Sequence, residues 1–215
     1  MKAEYIDHLG TDLTVVNAAR VSFSKESEVF TCRDEVEKGS DEGLISYLAK
    51  HNHWTPFSHP QITMRETVPI FVARQRFKHM VGFTYNEVSR RYVDDTPEFF
   101  SPDVWRQRPD GSMKQGSEGV VKYQSYYEGV YETYLQYAEE LYHSFILRGV
   151  APEQARMVLP QSMYTSYYVT GSLSAWARAY KQRIDPHSQV EIQMLAKQWG
   201  EVLEPLFPEC WKVLT

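Results

Sequence analysis

The sequence predicts an α+β fold formed by one domain spanning residues 1–215. Two segments, 61–68 and 163–170, have the composition of β-strands, and the first also alternates polar and apolar residues. Several other segments repeat apolar residues at the spacing of a helix. The 215 residues are 42% hydrophobic, which suffices for one core, and no segment has the length and position of a domain linker.

Composition and charge exclude several classes of protein. A net charge of −5 and a pI near 5.8 argue against a protein that coats nucleic acid. No signal peptide is evident at the N-terminus, and no stretch approaches the roughly 18 apolar residues of a membrane span. The two cysteines, Cys32 and Cys210, are far apart, so neither a disulfide framework nor a thiolate zinc site is indicated. We expect a soluble protein in the bacterial cytoplasm or, if the protein is viral, in the host cytoplasm.

Capping and alternation define the first predicted elements. A helix over residues 40–51 begins at Ser40 or Asp41, because both residue types favour the N-cap position. The next element, over residues 61–68, has the alternation of a strand that is buried on one face. Its alternate positions carry Ile62, Met64, Glu66 and Val68.

A cationic helix is predicted immediately after this strand, with Pro69 in its first turn. One side carries Phe71, Val72, Gln75 and His79 at helical spacing, and the cations Arg74, Arg76 and Lys78 project from the other sides. Residues 81–89 then predict a polar loop, because Gly82 and Asn86 break the helical pattern.

Helices are predicted for most of the second half of the chain. Residues 102–119 are rich in Pro, Gly and Ser and predict a loop. Helical patterns cover residues 117–148, 152–159, 171–183 and 188–205, with the strand 163–170 between the second and third. In the first of these helices the residues spaced for burial are Val121, Tyr127, Tyr131, Tyr134, Leu135, Ala138 and Leu141, and we expect its aromatic residues to lie in the core.

Residues 74–91 form a cationic segment in an acidic protein. It contains Arg74, Arg76, Lys78, Arg90 and Arg91, with Glu87 as its only acidic residue. Such a segment is consistent with a solvated basic face or with a site for an anion such as phosphate. It is also consistent with a module that binds nucleic acid and stacks bases on Tyr85 and Tyr92. These alternatives remain open at this point.

Three histidines, His51, His53 and His59, lie within nine residues and raise the question of a metal site. No Cys or carboxylate accompanies them in the segment, and His51 and His53 could converge on one ion only from a strand or loop. We therefore expect no metal site.

Six motifs together resemble those of the flavin-dependent thymidylate synthases. They are "AARVSF" (18–23), "HNHWTPFSH" (51–59), "FVARQ" (71–75), "NEVSRRY" (86–92), "ARMVLP" (155–160) and "RIDPHSQVEI" (183–192). Their order and separations match the family over nearly the whole chain. The resemblance implies an α+β subunit with a small antiparallel sheet flanked by helices, assembled into a homotetramer with active sites between subunits. It also implies that the methylene group of 5,10-methylenetetrahydrofolate is transferred to dUMP, and that FAD, reduced by NADPH, supplies the hydride that completes dTMP.

The same resemblance assigns functional residues. For dUMP binding it implies Gln75, Lys78, Glu87, Ser89, Arg90, Arg91, Arg183 and, from a neighbouring subunit, Arg156. For FAD binding it implies Thr55, Lys78, His79, Met80, Glu87, Ser172, Leu173, Ser174 and Arg178. The resemblance also implies that Arg183 faces the uracil ring and that His53 lines the flavin and folate pocket, so we expect these two residues to be catalytic.

The chain departs from the family pattern at several of these positions. The family signature, Arg-His-Arg followed by seven or eight residues and Ser, corresponds here to Lys78, His79 and Met80 followed by Ser89. Lys78 keeps the positive charge without the forked donors of arginine, and Met80 keeps neither charge nor donor. Three further departures are Ser172, Ser174 and Arg178, where the family commonly has Asn, Arg and Asn.

Overall fold

The computed structural model describes residues 1–34, 39–109, 111 and 116–215. The strands are β1 (Lys2–Leu9), β2 (Gln61–Pro69), β3 (Phe83–Glu87), β4 (Arg106–Gln107), β5 (Glu118–Val120) and β6 (Tyr164–Ser172). The helices are α1 (Asp12–Arg20), α2 (Asp41–Lys50), α3 (Ile70–Arg76), α4 (Gln124–Leu147), α5 (Pro152–Ala155), α6 (Leu173–Arg183), α7 (Val190–Leu206) and α8 (Pro208–Leu214).

One four-stranded antiparallel sheet, in the order β1-β2-β6-β3, organises the fold. A two-stranded ribbon of β4 and β5 lies apart from it in the topology. The predicted α+β fold with a small antiparallel sheet flanked by helices is therefore confirmed. Ser40 caps α2 as predicted, since its hydroxyl accepts a hydrogen bond from the backbone of Gly43.

The central strands β2 and β6 pair over their full length, from Gln61 opposite Ser172 to Pro69 opposite Tyr164. Both strands bury alternate residues in the same pattern, and each continues directly into a helix, β2 into α3 and β6 into α6. The predicted alternation in β2 is confirmed, because all four of its alternate side chains are buried. The site described below lies where the two helices end.

Helices α6 and α7 cover the buried face of the sheet. Trp176 of α6 and Trp199 of α7 are fully buried with their ring centroids 5.6 Å apart. The indole N–H of Trp176 donates to the backbone carbonyl of Ile62 at 3.2 Å, which ties α6 to β2. This packing fixes the position of α6, whose last residue is Arg183.

Several predicted elements differ from the structure. Helix α3 ends at Arg76, and the predicted polar loop after it contains strand β3. Residues 102–119, predicted as a loop, include the short strands β4 and β5, although residues 110 and 112–115 lie outside the described part of the chain. The last predicted helix is followed by a separate helix, α8, which begins at Pro208. The pattern also missed β1 and α1 near the N-terminus.

The aromatic face predicted for the long helix is only partly buried. Helix α4 buries Leu135 and Ala138, as expected. Tyr127 and Tyr134 are instead 45% and 49% exposed, so their prediction as core residues was wrong for the single subunit. A helix contacts the rest of its own chain along one stripe, and tyrosines lie all around α4.

Candidate active site

A buried ion pair lies beneath the candidate site. Arg76 was predicted to project from a cationic helix, but its side chain is fully buried and its Nε lies 3.2 Å from the carboxylate of Glu66, which is equally buried. The guanidinium carbon also lies 4.3 Å from the centroid of Phe83 and 4.8 Å from that of Trp176. The charge is therefore compensated by a carboxylate and by aromatic faces.

Two tyrosines extend this ion pair to the backbone of the site. The hydroxyl of Tyr167 donates to Glu66 at 2.5 Å. The hydroxyl of Tyr85 accepts from Arg76 Nη1 at 2.5 Å and donates to the carbonyl oxygen of His79 at 2.6 Å. Burial raises the pKa of Tyr85 to about 12, so this hydroxyl remains a donor. The network thus holds the backbone of His79 against the end of the sheet.

His79 in turn holds Arg183. Burial, followed by the nearby charges of Arg183 and Arg76, lowers the pKa of His79 to about 4, so the imidazole is neutral at pH 7. Its Nε2 accepts a hydrogen bond from Arg183 Nε at 2.8 Å, and Arg183 Nη2 donates to the carbonyl oxygen of Gln75 at 3.3 Å. Burial and then the charge of Arg76 lower the pKa of Arg183. The guanidinium is therefore fixed in orientation at the end of α6.

An open cleft of about 750 Å³ lies in front of this guanidinium, and we call it the Arg183 cleft. Gln75, Arg183, Ser188 and Gln189 are among its lining residues. Gln75 Nε2 donates to Gln189 Oε1 at 2.5 Å. The structure thus brings Gln75 and Arg183, two residues predicted to bind the nucleotide, to one cleft.

A second group of predicted residues lines a separate cleft of about 680 Å³, the Arg90 cleft. Its lining includes Glu87, Ser89, Arg90 and Arg156. Glu87 accepts a hydrogen bond from the hydroxyl of Thr165 at 2.6 Å. The sequence resemblance placed Arg156 in a neighbouring subunit, whereas within one subunit Arg156 shares a cleft with Ser89 and Arg90. Within one chain, this group of residues and the Arg183 cleft are therefore separate.

Arg91 lies beside the Arg90 cleft with its side chain exposed. Its Nη2 donates to the hydroxyl of Tyr92 at 2.8 Å, and its guanidinium carbon lies 5.0 Å from the centroid of that ring. The backbone N–H of Arg91 donates to the Ser89 hydroxyl at 3.4 Å. The side chain is thus available for an anion at the rim of the cleft.

A third cleft, of about 460 Å³, is lined by His53, Trp54, Ser174, Arg178 and Lys181 together with apolar residues, and we call it the Trp54 cleft. The Ser174 hydroxyl is 2.7 Å from that of Ser58 and 3.1 Å from that of Ser172. Arg178 donates to the carbonyl oxygen of Val81. Lys181 and Gln182 line both this cleft and the Arg183 cleft, so the two are adjacent across α6.

The remaining predicted FAD residues are distributed unevenly. Thr55, Lys78 and Met80 are exposed near the site, and Met80 retains 73% of its accessible surface. Leu173 is fully buried, so its side chain cannot contact a ligand directly. Three further residues line these clefts and were not singled out from the sequence: Trp54, Lys181 and Gln189. Trp54 and Gln189 lie within motifs that carried the resemblance.

The histidine-rich segment does not assemble a metal centre. The rings of His51 and His53 are 6.2 Å apart, and the ring of Tyr47 lies 4.3 Å from that of His51. Across the described residues, no group of three or more His, Cys, Asp or Glu side chains is placed to hold a metal ion. Within the same residues, no helix is both long enough and apolar enough to span a membrane.

Comparison with known proteins identifies the family. The family profile described as thymidylate synthase complementing protein matches residues 4–209. The flavin-dependent thymidylate synthase of Thermotoga neapolitana is 39% identical over 206 residues, covering 95% of this chain and 86% of the relative. This chain belongs to the flavin-dependent thymidylate synthase family. The enzyme of the same name from Thermosipho melanesiensis is 36% identical over 94% of this chain and 85% of its own length.

A solved structure has a similar fold. The UMP/dUMP methylase PolB from Streptomyces cacaoi, bound with 5-Br dUMP, superposes with a TM-score of 0.87 at 29% identity. The match covers 99% of this chain and 93% of PolB. A second structure of PolB, bound with 5-Br UMP, gives a TM-score of 0.84.

The cations of the segment 74–91 do not all lie on the surface. Arg76 is withdrawn into the core, Arg74 is exposed on α3, and Arg90 lines its own cleft. A nucleic-acid module needs neighbouring exposed cations that follow a phosphate backbone. The burial of Arg76 therefore takes one of the five cations of the segment away from that alternative.

The residues around the Trp54 cleft fit the chemistry of FAD. Arg178 and Lys181 are cations suited to a pyrophosphate, and the hydroxyl of Ser174 adds a hydrogen-bonding group. The Trp54 side chain is 64% exposed and offers a flat aromatic surface. Close by, Gly82 has φ +80°, and a Cβ there would lie 2.8 Å from Ala175 Cβ. Glycine at this position therefore allows the backbone after Met80 to pack directly against α6.

Proposed function

We propose that this chain is an NADPH-oxidising, FAD-dependent methyltransferase that converts dUMP to dTMP. It transfers the methylene group of 5,10-methylenetetrahydrofolate to C5 of the uracil ring, and bound FAD, once reduced, supplies the hydride. The observation that carries the proposal is the fixed guanidinium of Arg183 beside Gln75, in a cleft that shares a wall with the Trp54 cleft. Nucleotide and flavin sites would then be adjacent, as hydride transfer requires.

Arg183 is the residue that we assign to activation of the pyrimidine. Its guanidinium is held by His79 and by the Gln75 carbonyl, so it needs no reorientation when negative charge develops on the uracil ring. His53, which lines the Trp54 cleft, is placed to order the flavin and folate there. No enzyme nucleophile is required, because orientation and electrostatics activate the ring.

Arg91, Arg156 and the Ser89 hydroxyl are the groups that we assign to the nucleotide phosphate. Ser89 and Arg156 line the Arg90 cleft and Arg91 lies beside it, and this cleft is lined by different residues from the Arg183 cleft. A homotetramer with active sites between subunits would unite one cleft with the other. The exposed tyrosines of α4, including Tyr126 and Tyr137 at 66% and 62%, are a surface suited to such assembly.

FAD is assigned to the Trp54 cleft and the residues beside it. Arg178, Lys181 and Lys78 would neutralise its pyrophosphate, and Ser172 and Ser174 would supply hydrogen bonds. Because dUMP, NADPH and reduced folate are metabolites of the cytoplasm, we place the enzyme there.

The decisive experiment uses the purified full chain. Its flavin absorbance is recorded, and it is then incubated with dUMP, 5,10-methylenetetrahydrofolate and NADPH. We expect a yellow protein that forms dTMP and oxidises NADPH. UMP is tested in parallel because a structural relative is a UMP/dUMP methylase. A colourless protein that forms no dTMP when FAD is added would refute the proposal, and a preference for UMP would refute the assignment of dUMP.

A further inference from the structure

A chain of side-chain hydrogen bonds links the β4–β5 ribbon to the Arg183 cleft. Arg106 of β4 donates through Nη2 to Glu191 Oε1 at 2.5 Å and through Nε to the Ser117 hydroxyl at 2.6 Å. Gln189 Nε2 donates to Glu191 Oε2 at 2.8 Å, and Gln75 Nε2 donates to Gln189 Oε1 at 2.5 Å. This series of hydrogen bonds ends at Gln75, a residue that we assign to nucleotide binding.

The chemistry of Glu191 fixes the direction of every bond in this chain. A carboxylate only accepts and a guanidinium only donates, so Gln189 must turn its NH₂ group toward Glu191. The carbonyl oxygen of Gln189 then faces Gln75, which must turn its own NH₂ group toward it. The Glu191 side chain is only 5% exposed, so bulk water has little access to replace these partners.

The remaining group of Gln75 is its carbonyl oxygen. Among the described residues, no donor is bonded to Gln75 Oε1, and the residue lines the open Arg183 cleft. The cleft thus offers an acceptor on Gln75 next to the donors of Arg183. A side-chain amide without the constraint could present either end to a ligand.

We propose that Glu191 is a positioning residue which, through Gln189, commits Gln75 to present a hydrogen-bond acceptor to the nucleotide. The inference rests on the proposed function, because it takes dUMP as the ligand. The nucleotide carries two groups that could donate a hydrogen bond to Gln75, the 3′-hydroxyl of the sugar and the N3–H of the ring. Arg106 holds Glu191 in place. We call the hydrogen-bonded series Arg106, Glu191, Gln189 and Gln75 the relay.

The test reverses the direction of the relay without removing a side chain. In Glu191→Gln the new amide accepts from Arg106 and donates to Gln189, which makes Gln189 donate to Gln75 and turns the Gln75 oxygen away from the cleft. The double variant Gln189→Glu, Glu191→Gln restores an acceptor-only group next to Gln75 and keeps the total charge. Glu201→Gln, an exposed change on the same helix, is the matched control.

The dissociation constant of dUMP is measured by calorimetry on the flavin-loaded protein, together with KM and kcat. We expect Glu191→Gln to weaken dUMP binding about tenfold or more, because a donor then meets a donor. The effect should appear in KM more than in kcat. The double variant should recover most of the affinity, and Glu201→Gln should match wild type. Gln189→Met breaks the relay and leaves the Arg106 ion pair intact, so it remains a test even if Glu191→Gln folds poorly. It should weaken dUMP binding by less than Glu191→Gln does, because the freed amide of Gln75 can still turn its oxygen to the ligand.

Two nucleotide analogues identify the donor. One analogue lacks the 3′-hydroxyl and the other is methylated at N3. For the analogue that lacks the group donating to Gln75, wild type and Glu191→Gln should bind with equal affinity. The relay is refuted if Glu191→Gln binds dUMP like wild type, if the double variant binds no better than the single one, or if both analogues retain the full difference. Wild-type protein that binds no dUMP would refute the proposed function itself, and the relay with it.

Discussion

Arg76→Met tests the buried ion pair beneath the site. Arg76 and Glu66 both have fully buried side chains, and the substitution leaves the carboxylate with only the Tyr167 hydroxyl as a hydrogen-bond partner among the described residues. Removing one partner of such a pair costs about 3–5 kcal/mol in the free energy of unfolding. For a chain of this size that corresponds to a fall of roughly 6–20 °C in Tm.

The measurement is thermal and urea unfolding of the flavin-loaded protein at one protein concentration. The matched control is Arg74→Met, because Arg74 lies on the same helix with its side chain exposed and should shift stability by less than ~0.5 kcal/mol. Adding Glu66→Gln to Arg76→Met should recover part of the loss, since the uncompensated carboxylate is gone. Equal effects of Arg76→Met and Arg74→Met would refute the reasoning.

Four further predictions concern the site. First, dUMP should raise Tm, and Arg91→Ala should remove most of that rise in a thermal-shift assay if Arg91 binds the phosphate; an undiminished rise would exclude Arg91. Second, Arg183→Ala should lower kcat more than it weakens dUMP binding, because its charge stabilises the transition state, and equal losses would make it a binding residue. Third, the pKa of His79 is lowered from 6.5 to about 4, so the unfolded state binds more protons between these values and the free energy of unfolding should fall as the pH drops through this window; His79→Gln should lack this component in urea titrations at a series of pH values. Fourth, burial raises the pKa of the Cys210 thiol, which makes it a poor nucleophile, so Cys32→Ser, Cys210→Ser should form dTMP within about a few-fold of wild type in a product assay; a folded, yellow variant that forms none would contradict the flavin mechanism.

The elements with one buried face were predictable from the sequence. Strand β2 alternates because its inner side chains pack under α6 and α7. The start of α2 was predictable because the Ser40 hydroxyl caps the helix. Strand β1 gave no such signal, because it lies at the edge of the sheet and all eight of its residues are exposed or half-buried. Arg76 was misplaced because the helical pattern alone assigns a cation to the surface. Its partner Glu66, an acid among the alternate apolar residues of β2, was the available clue.

The sequence supplied a set of candidate site residues but not their arrangement. Motif resemblance supplied Gln75 and Arg183, which the structure brings to one cleft, and Ser89 and Arg90, which it brings to another. The separation of the clefts depends on tertiary packing, which local spacing does not encode. Glu191 escaped notice because a lone carboxylate in a helical pattern resembles an ordinary surface residue until its buried contacts are known.

Local spacing also could not show what the tyrosines of α4 contact. Aromatic residues at helical spacing satisfy a core within one chain and an interface between chains equally well. Only the observed exposure of Tyr127 and Tyr134 distinguishes the two for a single subunit.

The register of β2 against β6 sets the position of α3 relative to α6, and so of the groups at the ends of these helices. Because each strand continues into its helix without a loop, a slip of two residues would keep every side chain on its own face yet displace α3 from α6 by roughly 7 Å. The hydroxyls of Thr63 and Thr170, 2.9 Å apart, and the bare Cα of Gly171, where a Cβ would lie 2.3 Å from the Phe83 ring, oppose such a slip. The strand pairing thus fixes the position of the Arg183 guanidinium at the end of α6. Substitutions deep in these strands can therefore lower the reaction rate while the fold survives.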